Sequence, residues 1–245
     1  MKKIFVTCLL AVLPLLANAN SGEHLDKVKV DLGDQKSLQN GAHLFVNYCL
    51  SCHAASYMRY NRMAKDIGLS EKELKKDYMY AGKKVGETMT VAMTADEGKT
   101  YFGIEVPDLS VVARARGADW LYTYLRTFYQ DGSRPWGVNN ATFKDVGMPH
   151  VLWKLQGLKK ALYKVHKDAE GNDIKVITGY ETVIPGTMSE EEYDNTVRDL
   201  VNFMVYMGEP AKMVRYDLGV KVLIFLAIFL VFAYALKKEY WKDIH

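Results

Sequence analysis

The most informative stretch of this sequence is the run Cys49-Leu50-Ser51-Cys52-His53. Residues three and four apart lie on one side of a helical turn. Two thiols with this spacing can therefore bond to one edge of a single porphyrin, and the imidazole of His53 can reach the iron as an axial ligand. The pattern predicts one haem c, covalently attached through Cys49 and Cys52.

Two other uses of a C-x-x-C pair are a redox dithiol and half of a zinc site. Zinc needs more soft ligands, and the only other cysteine is Cys8. A redox dithiol needs neither the histidine that follows nor the Gly41-x-x-Leu44-Phe45 segment that precedes the pair. A glycine one turn before an aromatic residue lets a second helix approach closely, and this segment resembles the N-terminal helix of class I cytochromes c. We therefore favour haem attachment.

The N-terminus has the pattern of an export signal. Residues 1–19 begin with two lysines, continue with a short apolar stretch and end with Ala17-Asn18-Ala19, which is typical of a secretory signal peptide and its cleavage site. A retained membrane helix is the alternative. Cleavage would remove Cys8, and export suits the chemistry because bacterial c-type haem attachment takes place outside the cytoplasmic membrane.

A second apolar segment covers residues 218–236, close to the ~20 residues that span a bilayer. The tail at 237–245 places Tyr240 and Trp241 beside lysines, as expected at the cytoplasmic interface, so a buried core helix is the weaker interpretation. We expect a periplasmic haem domain over 20–217, a single-pass anchor in the bacterial inner membrane and a cytoplasmic C-terminus.

The amino-acid composition and net charge of the chain limit the kinds of partner that it can bind. A hydrophobic content of 49% excludes a disordered chain. The formal charge of +3 is too small to suggest a nucleic-acid partner, and the excess of lysine lies mainly at the two ends of the chain. We therefore expect the lipid bilayer, and not nucleic acid, among the partners.

Periodicity and capping signals predict a mainly α fold with loops and one β-hairpin inserted in it. In the first half of the chain we predict an extended arm over 20–40, a helix past His53 over 54–68, a helix capped by Ser70 over 71–81, and a loop over 85–103. A turn at Asp108 and Ser110 is predicted to cap the next helix, and a further helix is predicted over 118–129. The hairpin is predicted to have strands over 161–168 and 174–184 with a turn at 170–173, and it is followed by a helix that Ser189 caps and Gly208 ends.

The sixth ligand of the iron is harder to predict. Met148 lies between Gly147 and Pro149, on a constrained loop far along the chain from His53. A thioether would favour reduced iron and raise the potential. His150 is the rival ligand, and an iron with one open position is the third possibility.

Four blocks of sequence resemble the cytochrome c1 family, the haem subunits of ubiquinol–cytochrome c reductase complexes, and most of all its proteobacterial members. They are CLSCH followed by Tyr57 and Tyr60-Asn61-Arg62, PDLSVVARARG at 107–117, GMPHVLWKLQG at 147–157, and GTMSEEEYDNTVRDLVNFMVYMGEP at 186–210.

The resemblance implies roles for single residues. It implies that Met148 is the sixth ligand and that Arg116 contacts a haem propionate. It also implies that the haem is lined by Pro107, by Leu125 and by Trp120, which takes a place often held by tyrosine. Val106 stands where the family usually has a second proline, which leaves the path of the loop beside the haem open.

The resemblance further implies a membrane-anchored electron carrier. It would accept single electrons from a Rieske iron–sulfur subunit and pass them to a soluble or tethered cytochrome c, beside cytochrome b in the respiratory chain. No independent catalytic site is expected. The alternatives are a free-standing membrane-anchored cytochrome c and a haem enzyme such as a peroxidase, which needs an open iron.

The acidic run Glu190-Glu191-Glu192, with Asp194, has two interpretations. It could dock a basic cytochrome c, or its carboxylates could complement the N-terminus of the helix that begins there.

Overall fold

The computed structural model of this protein describes residues 25–80, 82–91, 93–167 and 172–244. The predicted signal peptide with Cys8, and the predicted hairpin turn at Glu170 and Gly171, lie outside the described residues. The described part is mainly helical, with short strand pairs and one long apolar helix at its C-terminal end, as predicted. The order is α1 (Gln35–Leu44), a π-helical segment (Phe45–Cys49), β1 (Ala55–Arg59), α2 (Tyr60–Asp66), α3 (Glu71–Asp77), β2 (Thr88–Met89), α4 (Ala95–Phe102), α5 (Val112–Arg116), α6 (Ala118–Arg126), β3 (Phe128–Gln130), β4 (Val138–Asn140), α7 (Trp153–Gln156), β5 (Gly157–Lys167), β6 (Asp173–Pro185), α8 (Glu190–Gly208), α9 (Lys212–Tyr240) and a 3₁₀ turn (Lys242–Ile244).

The core is built where α1 crosses α8. A Cβ atom placed on Gly41 would overlap the backbone oxygen of Asp199, so only glycine permits this crossing. One turn later the ring of Phe45 packs on Phe203, with 5.6 Å between ring centroids. The close helix approach predicted at Gly41 is confirmed, and it places the Cys49 end of the π-helical segment beside the core.

The helix α8 is the longest element of the core. Ser189 and Glu192 form a reciprocal capping box at its start, as predicted, and the helix ends at Gly208. Its buried face carries mostly large apolar side chains, among them Leu200, Phe203 and Met204. Burial of such a face supplies most of the stability of an amphipathic helix.

The N-terminal arm is shorter than predicted, because α1 begins already at Gln35, where the side chain of Asp34 caps it. The preceding residues are held by backbone hydrogen bonds to other elements. The amide of Asp26 donates to the hydroxyl of Thr123 (2.9 Å), and the amide of Val28 donates to the carboxylate of Asp119 (3.0 Å). The arm is thereby fixed along α6.

A β-strand, paired with a later segment of the chain, is found where a helix was predicted directly after His53. Residues Ala55–Arg59 form β1, which pairs with β2, and helix begins only at Tyr60. The amides of Ser56 and Tyr57 donate to the side chains of Asp108 and Ser110. Those side chains therefore bind a neighbouring strand, and the prediction that they cap the next helix is wrong: α5 begins after Val111 without a side-chain cap.

Three further boundaries differ from the prediction. The helix capped by Ser70 ends at Asp77, and the helix predicted over 118–129 ends at Arg126 because β3 pairs with β4 there. The predicted loop over 85–103 contains a helix, α4, which opens on a capping box of Thr94 and Glu97 and closes at Gly103 with φ of 76°. That capping signal is visible in the sequence and could have revealed the helix.

The predicted hairpin is confirmed and is longer than expected, with β5 and β6 paired from Gly157 and Pro185 to Lys167 and Asp173. The C-terminal helix α9 is 29 residues long, has a mean hydropathy of 2.5 over its most apolar stretch, and buries none of that stretch against the rest of the chain. A helix of this length and polarity is long enough to cross a bilayer.

Candidate haem site

One cavity of about 360 Å³ is lined by every residue that the sequence analysis proposed for the cofactor except His150, the rival ligand. Its volume lies in the range typical of cofactor pockets. The predicted residues in its wall are Cys49, Cys52, His53, Pro107, Arg116, Trp120, Leu125 and Met148. Most of the remaining wall is apolar and includes Phe102, Phe143, Leu121 and Met204.

The two cysteines lie at the end of the π-helical segment. The amides of Cys52 and His53 both donate to the carbonyl of Cys49, at 3.1 and 2.8 Å, so the motif forms one tight turn. Burial and the neighbouring Cys52 raise the pKa of the Cys49 thiol to about 12. A redox dithiol needs the opposite shift, a lowered thiol pKa, so this environment argues against the redox alternative.

His53 is held in the orientation that an axial ligand needs. Its Nδ1 lies 2.8 Å from the carbonyl oxygen of Pro107. Because a carbonyl oxygen only accepts, Nδ1 carries the hydrogen and Nε2 keeps its lone pair. Burial lowers the pKa of His53, against the opposing effects of the Pro107 bond and of Asp108, which favours the neutral imidazole that binds a metal.

Met148 lies in the same cavity on a loop that two buried asparagines shape. Asn139 accepts a hydrogen bond from the amide of Asp145, and Asn140 accepts from the amides of Thr142 and Phe143. The hydroxyl of Tyr124 donates to the sulfur of Met148 over 3.3 Å.

His150, the rival ligand, is turned away from the cavity. It is buried, stacks on Phe128 with ring centroids 4.8 Å apart, and does not line the cavity. Burial lowers the pKa of His150 to about 4, so it is neutral at pH 7. The geometry thus favours Met148 over His150.

Arg116 lies at the rim of the cavity on the last turn of α5. Its guanidinium lies over the rings of Trp120 (4.9 Å) and Phe143 (5.7 Å). Among the described residues, no carboxylate forms an ion pair with it. An arginine in this position can receive an anionic group of a cofactor.

Tyr124 also lines the cavity, and the sequence analysis proposed no role for it. It follows Trp120 by four residues on α6, so both rings lie on one helix face and stack with centroids 5.0 Å apart. This spacing is a signal that could have revealed it.

Some carboxylates of the acidic run at the start of α8 form hydrogen bonds within the structure. Glu192 completes the capping box, and Asp194 pairs with Arg126 through two hydrogen bonds of 2.6 and 2.7 Å. Two of its four carboxylates therefore have structural partners: Glu192 fits the helix-terminus interpretation, whereas Asp194 forms an ion pair with α6.

The donor set fits a covalently bound haem. The mostly apolar cavity is lined by two thiols, an oriented neutral imidazole, a thioether and an arginine that has no carboxylate partner among the described residues. Each of these groups has a role that haem c chemistry can use. No feature of the wall conflicts with that cofactor.

Comparison with known proteins gives one family. The model of the Cytochrome C1 family matches residues 28–244. The chain is 47% identical over 244 residues to cytochrome c1 of Allochromatium vinosum, covering 100% of this chain and 99% of that protein. It is 51% identical over 240 residues to a protein of Nitrosomonas europaea named ammonia monooxygenase gamma subunit, covering 97% of each. Cytochrome c1 of Rhodospirillum rubrum is more distant, at 25% identity over 86% of this chain and 83% of that protein.

Proposed function

This chain belongs to the cytochrome c1 family, and from that membership we propose that it passes single electrons from a Rieske iron–sulfur protein to a cytochrome c within a quinol–cytochrome c reductase complex. At the coarser level, it is a cytochrome c1-type electron carrier with a haem c cofactor, anchored in a membrane through its C-terminal helix. The observation that carries the proposal is the cavity that collects a C-x-x-C-H turn and a distant methionine.

We propose that Cys49 and Cys52 hold one haem by thioether bonds, and that His53 and Met148 are its axial ligands. When bound, a c-type haem supplies a one-electron couple. Pro107 fixes the His53 tautomer through its carbonyl oxygen, and the loop after Asn140 carries Met148 to the cavity. The apolar wall, including Trp120 and Leu125, excludes water and so favours the less charged, reduced state.

Arg116 has a separate role in this proposal. Its guanidinium would pair with a propionate at the rim and so offset the negative charge there. The contact of the guanidinium with the ring of Trp120 (4.9 Å) would keep it at the cavity wall, where it could meet that carboxylate.

If His53 and Met148 both bound the iron, no coordination position would remain for peroxide or oxygen, which would count against a haem enzyme. A free-standing shuttle is the closer alternative, but the long hairpin of β5 and β6 exceeds what a minimal carrier needs and suits contacts with partner subunits.

The name of the Nitrosomonas europaea relative points to a different complex, and that relative is 51% identical to this chain. The partners are therefore the point to test.

The test is purification of the full-length chain from its own membranes in mild detergent. We expect cytochrome b and a Rieske protein to co-purify, and the preparation to reduce cytochrome c with a quinol as donor. A Cys49→Ser/Cys52→Ser variant is the control, and it should lose the haem that otherwise stays with the chain on a denaturing gel. Isolation of the haem-bearing chain alone, or with subunits of a monooxygenase, would contradict the proposed complex.

A further inference from the structure

Tyr124 has one unusual contact, the hydrogen bond from its hydroxyl to the sulfur of Met148. We propose that Tyr124 is a positioning residue that holds this thioether and thereby raises the redox potential of the site. The inference rests on the proposed function, since it requires Met148 to be an axial ligand.

The hydroxyl is held in place by the packing of its ring. Trp120 stacks on one side with an interplanar angle of 9°, and the edge of Phe128 meets the ring at 67° and 5.2 Å. Tyr124 is 9% exposed. Because the ring cannot rotate away from these neighbours without losing their packing, its hydroxyl points consistently at the sulfur.

The loop that carries Met148, the acceptor of this hydrogen bond, is linked to the helix of Tyr124 by Asn140. The side-chain nitrogen of Asn140 donates to the carbonyl of Tyr124 over 2.7 Å, while its oxygen accepts from the amides of Thr142 and Phe143. One buried asparagine thus connects the helix that carries the hydroxyl to the loop that carries Met148. Donor and acceptor are fixed relative to each other by the backbone and not only by their own contact.

The chemical consequence follows from the two lone pairs of a thioether sulfur. One can bind a metal while the other accepts the hydroxyl of Tyr124. A hydrogen bond withdraws electron density from the sulfur, which weakens its donation to an oxidised metal more than to a reduced one. The Tyr124 bond would therefore favour the reduced state, and it would make Met148 easier for a competing ligand to displace from an oxidised metal than from a reduced one.

The experiment compares two tyrosine-to-phenylalanine changes on α6 in the purified full-length holoprotein. Tyr124→Phe removes the hydroxyl and keeps the ring. Tyr122→Phe is the matched control, because Tyr122 lies against Arg126 (4.6 Å) and outside the cavity wall. Loss of one hydrogen bond should shift the redox equilibrium roughly threefold, which lowers the midpoint potential by about 30 mV for a one-electron couple.

A second measurement distinguishes tuning from simple damage. Tyr124→Phe should bind imidazole to the oxidised protein about threefold less tightly, because the sulfur without its hydrogen bond donates more strongly to the oxidised metal. It should keep the sulfur-to-iron charge-transfer band, which disappears only when the ligand is lost. Tyr122→Phe should leave the potential, the band and imidazole affinity unchanged.

The outcomes separate this inference from the proposed function. An unchanged potential and an unchanged imidazole affinity in Tyr124→Phe would overturn the inference, and so would equal shifts in both variants. If Met148→Leu also leaves the spectrum and potential unchanged, the ligand assignment itself fails. If only Met148→Leu changes them, the ligation stands and the role of Tyr124 is rejected.

Discussion

At the scale of single residues, two methionines line the cavity, and they differ in backbone structure and in hydrogen bonding. Met148 lies on a loop and accepts the Tyr124 hydroxyl, whereas Met204 lies on the buried face of α8. Both line the cavity, so a methionine in its wall is not in itself a ligand.

This difference gives a matched pair of substitutions. Leucine keeps the volume of methionine and lacks its sulfur. Met148→Leu should lower the midpoint potential and raise the affinity of the oxidised protein for imidazole by at least about tenfold. Met204→Leu should leave both close to wild type. Equal responses from potentiometry and imidazole titration of the two variants would refute the assignment of Met148.

The residues of the site differ in how far sequence could predict them. Cys49, Cys52 and His53 are adjacent in the chain, so their spacing alone defines the chemistry. The loop between Gly147 and Pro149 distinguished Met148 from the other methionines, but the family resemblance was needed to choose it over His150. Tyr124 was missed since its contact with Met148 depends on how a loop folds back over a helix.

At the scale of elements, the crossing of α1 and α8 carries the haem motif. The space around Gly41 leaves no room for a methyl group, because a Cβ there would meet the backbone of Asp199 and lie 2.7 Å from the Cβ of Phe203. A side chain here must push the helices apart or distort them.

Gly41→Ala should therefore destabilise the fold by about 1–3 kcal/mol or more, the usual cost of overpacking a core. Gly132→Ala is the control, because a methyl group there meets nothing within 4 Å. Thermal unfolding of the two full-length variants in detergent, followed by circular dichroism, measures the difference. A melting temperature for Gly41→Ala equal to that of the control would show that the crossing relaxes freely.

The helices and strands were predicted correctly where the sequence signal lies within a few neighbouring residues. The capping box of Ser189 and the alternation of β5 and β6 gave the correct structures. The strand β1 was predicted as helix because its pairing with β2 and its bonds to Asp108 and Ser110 come from other parts of the chain. Tertiary contacts of this kind override local preference.

At the scale of the whole molecule, the described chain divides into a packed haem-site body and an apolar helix that buries nothing in it. The body therefore owes none of its core to α9. We therefore expect the stability of the body to be independent of α9.

A chain that stops before Lys212 should fold, keep its haem and leave the membrane fraction. Its midpoint potential should equal that of the full-length protein, because no residue of α9 lines the cavity. Cell fractionation and potentiometry check both points. A truncated protein that stays in the membrane fraction would show that other surfaces of the body bind the bilayer or a membrane subunit.

The link between the body and its anchor is only three residues long, since α8 ends at Gly208 and α9 begins at Lys212. Three extended residues reach about 10 Å, less than the width of a small domain. Arg215 shortens this reach further by pairing with Glu209 over 2.6 Å. A link this short limits how far the body that holds the cavity can move away from α9.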